Sequence, residues 1–73
     1  MNRGQMTRLA QKMRDSALRA SRSAWEVEDN LNAIGFFGRD AFGSEARASD
    51  EALQLIAEID ELVALRDELK ALL

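Results

Sequence analysis

Met6, Ala10, Met13, Ala17, Ala20, Ala24, Val27, Leu31 and Ile34 recur at alternating intervals of four and three residues, with no proline anywhere in the chain. This pattern constrains the fold more than any other feature of the sequence. An unbroken four-three repeat keeps one face of a long helix against a neighbouring helix, and strands cannot use it because their side chains alternate with a period of two. Asn2 followed three residues later by Gln5 has the form of a capping box, and Gly35 offers a C-terminal stop. The expected helix covers about residues 5–33 and is roughly 43 Å long at 1.5 Å per residue.

The chemistry of this row says what it packs against. Ala17, Ala20 and Ala24 occupy its middle, with Ser16, Ser21 and Ser23 beside them. Small side chains let a second backbone approach near the lower end of the usual ~8–10 Å helix separation, but they bury little area. We therefore expect Ala10, Met13, Ala17, Ala20, Ala24, Val27 and Leu31 to form an oligomer seam, with larger residues supplied by another element. That element is a second amphipathic helix. Leu55, Ile59, Leu62, Leu65, Leu69 and Leu72 make a stripe, widened by Leu53, Ile56, Val63 and Leu73 beyond what a single neighbour needs. Ser49 followed by Asp50 and Glu51 suits a helix N-terminus, with Ser44-Glu45 as an alternative start. The expected second helix runs over about residues 49–73.

The intervening segment, 34–48, carries all three phenylalanines, Phe36, Phe37 and Phe42, among three glycines. Phenyl rings in a connection of this length either plug the end of a hairpin or dock on a partner. The expectation is one all-α domain spanning 1–73: an antiparallel two-helix hairpin that dimerises into a four-helix bundle.

Size makes association the natural route to stability. A chain of 73 residues lies near the lower limit for folding alone, and without Cys or His it has neither disulfides nor the usual zinc ligands. The same inventory argues against an enzyme, since the commonest nucleophile-base pairs are missing and the serines fall at packing or capping positions. No catalytic, metal-binding or cofactor-binding residues are expected. Glu58 and Glu61 share a spacing with metal-binding helices but lack the partnering His. The glycines around Phe36 and Phe37 lack the Lys-Ser/Thr ending of a phosphate loop, and Asp40 begins no calcium-loop pattern. The first residues do not form a secretory signal, and the longest apolar run, Leu62 to Leu65, is too short for a bilayer. A soluble cytoplasmic protein without membrane association is the expectation.

The net charge of −3 conceals an asymmetry: residues 1–23 hold six basic side chains and one acidic, residues 24–73 four basic and twelve acidic. The two segments attract, favouring antiparallel neighbours. Arg8, Lys12, Arg19 and Arg22 fall on one side of the first helix, where they could follow a phosphate backbone; nucleic acid is thus the alternative partner. Leu18 and Trp25, seven residues apart, lie on a shoulder roughly 130° from the centre of the seam at 100° per residue, so the seam cannot bury both. The functional expectation is a non-enzymatic interaction module, an adaptor, regulator or inhibitor that docks on a larger protein. Leu18, Trp25, Phe36, Phe37 and Phe42 would be its apolar anchors, with Arg19 and Arg22 steering.

Overall fold

The computed structural model describes residues 2–38 and 43–73, without the side chain of Phe37. It contains two helices, α1 (Arg3–Phe37) and α2 (Ser44–Leu72), packed against each other as a rod of 54 × 14 × 12 Å. The long dimension matches the rise of one helix of 35 residues, so the molecule is a single hairpin two helices wide.

The ends follow from local chemistry. Asn2, in extended conformation, accepts the Gln5 backbone N–H on its side-chain oxygen at 2.9 Å, which satisfies one of the orphan amides of the first turn. At the other end α1 runs through Gly35, the expected stop, and continues to Phe37. Gly38 terminates it, with φ 101° and its N–H bonded to the Ile34 carbonyl. A side chain is strained at that φ, whereas Gly35 keeps helical backbone and costs only its entropy. Similarly, α2 starts at Ser44 and not at Ser49, after Gly43 in the left-handed region, and places Glu45 in its first turn. The connection is therefore shorter than 34–48, and Arg39, Asp40, Ala41 and Phe42 lie outside the described residues.

The side of α1 that meets α2 comprises Met6, Leu9, Met13, Ser16, Ala20, Ser23, Val27, Asn30 and Ile34, all buried or half-buried. Calling the row Met6, Met13, Ala20, Val27, Ile34 position a of a heptad, the second row is d: Leu9, Ser16, Ser23 and Asn30. Ala10, Ala17, Ala24 and Leu31 occupy e and stay exposed. The expected seam is thus divided. Met13, Ala20 and Val27 pack within the hairpin, while Ala10, Ala17, Ala24 and Leu31 face outward beside it. On α2 the inward rows are Ala48, Leu55, Leu62 and Leu69 (a) and Glu51, Glu58, Leu65 and Leu72 (d). Ile59 lies just outside them, 45 % exposed.

Glu58 explains the division. Ser16 Oγ donates to the Glu58 backbone carbonyl at 3.2 Å, and Ser23 Oγ donates to Glu58 Oε1 at 2.5 Å. Two serines that look like small-residue packing in the sequence are hydroxyl donors to a glutamate only 7 % exposed. Turning Ala17 and Ala24 inward instead would leave that carboxylate buried without donors, a cost of several kcal/mol. Serine hydroxyls set the register.

Candidate functional site

The Ser16–Glu58 and Ser23–Glu58 contacts place Glu58 level with Ala20, so the helices run antiparallel with Leu9 near Leu72 at the far end. This register gives the hairpin two dissimilar sides. On one side the g positions of both helices meet: Arg19 bonds both carboxylate oxygens of Glu61 at 3.3 and 3.4 Å. Above and below that pair run shallow grooves lined by Arg8, Lys12 and Glu68, by Asp15 and Glu61, and by Arg22, Glu26, Glu51 and Gln54. It is a surface of mixed charge.

Four of the residues in question, Arg8, Lys12, Arg19 and Arg22, border this side. Arg19 is engaged by Glu61, Arg22 has Glu26 at 4.0 Å, and Lys12 shares a groove with Glu68. The structure interleaves the basic ladder with carboxylates along its whole length. Glu26 and Glu51 also approach here, and the hydrogen bond that a protonated Glu51 donates to Glu26 raises the Glu51 carboxyl above the usual glutamate value, with desolvation and the charges of Glu26, Glu58 and Asp50 adding to the shift.

The opposite side carries more apolar side chains. With g against g, the e positions of the two helices lie together on the other flank, next to their b positions. From α1 these are Ala10, Ala17, Ala24 and Leu31, with Arg14, Ser21 and Glu28 at b. From α2 they include Ala52 and Ile59, with Ile56 and Val63 at b. Leu31, Ile56 and Ile59 are exposed, and so is Val63. Leu53 (67 % exposed), Leu18 (63 %) and Trp25 (65 %) extend the surface at f. By contrast, the hydrophobic residues buried beyond half-burial among the described residues are Leu9, Ala20, Ala48 and Leu65. Many large apolar side chains thus lie outside the interface between the two helices, and they favour one flank.

The structure separates the expected apolar anchors. Leu18 and Trp25 sit seven residues apart on α1, two turns of one exposed row. Phe36 lies near the end of α1 and is 86 % exposed. Phe42 and the side chain of Phe37 are outside the described residues, so the Phe loop as plug or docking surface is too. The sequence reading did not pick out Glu58 as a seam residue. The signal was available: Glu58 falls at the same heptad position as Leu65 and Leu72, opposite two serines with matching spacing.

Among the described residues no cluster of three or more acidic side chains is placed to hold a metal, and no helix is long and apolar enough to cross a membrane. No protein-family model, curated protein or solved structure matches the chain.

Proposed function

We propose that the protein is a non-enzymatic helical interaction module that works as a dimer. The apolar e/b flank closes against a second copy to make a four-helix bundle, and Leu18 and Trp25 remain on the outside as anchors for a larger protein. One observation carries this reading: the hairpin exposes Leu31, Ile56, Ile59 and Val63 beside an alanine row, while among the described residues Leu9 and Leu65 are the large apolar side chains it buries beyond half-burial. Burial of apolar area is worth about 25 cal/mol per Å², so an uncovered flank of this kind is the chief unrealised stabilisation of the isolated hairpin. A four-helix bundle uses three rows per helix, a, d and one flank, and this chain supplies all three.

Leu18 and Trp25, at f, point away from such a core. Trp is the residue most enriched in binding hot spots, and Arg22 lies beside it on the next turn to bias approach toward acidic surfaces. The module would thus be regulatory or adaptor-like: one surface for itself, another for its target.

The two surfaces are tested separately. Ile56→Asp combined with Ile59→Asp is expected to abolish the dimer and lower helical content by circular dichroism. A double variant that keeps the dimer mass would show that the e/b flank is not the pairing surface. Trp25→Ala is expected to leave the dimer intact and weaken capture of the larger partner. Capture as strong as that of the parent protein would remove Trp25 as an anchor.

A further inference from the structure

We infer that the two copies pair with α1 against α1 and α2 against α2, antiparallel, so that their loops lie at opposite ends; this rests on the reading that the e/b flank binds a second copy. The e and b rows of α1 form a second four-three seam: Ala10, Arg14, Ala17, Ser21, Ala24, Glu28 and Leu31. Turned antiparallel on itself about a point between Ala20 and Ser21, it matches Ala17 with Ala24 and Ala10 with Leu31 and sets Ser21 beside its own copy. Arg14 then comes within one residue's rise of Glu28 of the second copy, twice by symmetry. Small residues along the centre allow close approach, with a complementary ion pair on each side.

The same operation on the α2 flank matches Ile56 with Ile59, Ala52 with Val63 and Ser49 with Arg66, putting the bulky apolar pairs at the middle. The α1 pairs join e with e, the α2 pairs e with b, and the two sets can be placed on one axis. The α1 pairs are centred between Ala20 and Ser21 and the α2 pairs between Ala57 and Glu58. Within the hairpin, Glu58 lies level with Ala20, held by Ser16 and Ser23. A single two-fold axis perpendicular to the rod therefore passes through both centres, as an isologous dimer requires.

The competing arrangement sets α1 against α2 of the second copy, with both loops at one end. Arg14 would then face Val63 with Arg66 adjacent, and Glu28 would face Ser49. Arg14, with Asp15 of its own chain at 3.9 Å, and Glu28 then gain no counterion across the interface, and like charges come together. Charge complementarity selects the first arrangement. It has a functional consequence: Leu18 of one copy comes level with Trp25 of the other on the outer surface of the α1 pair. Dimerisation thereby joins two small anchors into one four-residue apolar patch.

The chain has no cysteine, so one introduced thiol is a clean probe. Ser21→Cys is expected to form a disulfide-linked dimer under mild oxidation, because its copies lie beside each other at the axis. Mixing Ser21→Cys with Ile56→Cys is expected to give no α1–α2 cross-link. A second variant pair checks the charges: Arg14→Glu or Glu28→Arg alone should weaken the dimer on the order of tenfold, and the double swap should restore it. A dimer by mass that forms no Ser21 cross-link, or that forms the Ser21–Ile56 one, overturns this arrangement while sparing the self-association reading. A monomer by mass overturns both.

Discussion

Replacing Glu58 by leucine should stabilise the protein, although the change removes a hydrogen bond seen in the structure. The side chain is buried at a d position between two helices. Its Oε1 accepts from Ser23, and its Oε2 has no hydrogen-bond partner among the described residues. A buried carboxylate carries a desolvation penalty of several kcal/mol, about 4 for the purpose of comparison. The single bond to Ser23 returns about 2 kcal/mol, as hydrogen bonds to charged groups do. Leucine removes both terms, adds about 1.5 kcal/mol of apolar burial and strands the Ser23 hydroxyl at a cost of about 1 kcal/mol. Ser16 keeps its partner, because that bond goes to the backbone carbonyl. The net gain is about 2.5 kcal/mol, or a rise in Tm of roughly 10–20 °C for a domain of this size. Thermal melts followed by circular dichroism at pH 7, with the mass of the species checked in parallel, measure it. A Tm lower than that of the parent at unchanged mass would show that the carboxylate is satisfied in a way this account omits.

Three further perturbations probe other parts of the structure. Leu65→Ala, at a buried large apolar side chain, should cost about 3 kcal/mol in urea unfolding, a large share of what so small a core supplies. Gly38→Ala forces a side chain into φ 101° and should cost about 1–3 kcal/mol, whereas Gly35→Ala, in helical backbone, should be neutral or stabilising. Glu51→Gln tests the paired carboxyls: because the Glu26 contact raises the Glu51 pKa, the folded form holds a proton the unfolded chain gives up more readily. Stability from this pair is present at low pH and falls as pH rises through the raised value. The variant should melt higher than the parent at pH 7, and the difference should shrink as the solution is acidified to pH 4; a constant difference across that range would contradict the assignment.

Much of the architecture was legible in the residues. Alternating four-three spacing in a proline-free chain announced the helices, Asn2 marked the first N-terminus, and the Leu55, Leu62, Leu65, Leu69 and Leu72 stripe lies on the side of α2 that meets α1. The inward face of α1 was harder. Two rows compete beside Met6, Met13, Ala20, Val27 and Ile34, one residue apart. Counting apolar side chains favours Ala10, Ala17, Ala24 and Leu31 over Leu9, Ser16, Ser23 and Asn30. The hairpin takes the polar row because its serines answer Glu58 across the interface, a long-range constraint that periodicity within one helix does not contain. The apolar row stays exposed, and the seam read from the sequence divides between the inward position a and the outward position e. The end of α1 was missed for a local reason: Gly35 and Gly38 look alike in sequence, and only Gly38 takes a positive φ. Leu18 and Trp25 were legible as residues outside the seam, while the interleaving of Arg19 with Glu61 required the register between helices.

The central claim is that one hairpin leaves an apolar flank which a second copy covers. Sedimentation equilibrium of the full chain, run from low micromolar concentration upward, tests it most directly. The account predicts a reversible dimer of twice the 8.2 kDa chain mass, with a melting temperature that rises with concentration. A species of 8.2 kDa at every concentration, melting cooperatively at a temperature independent of dilution, would contradict it.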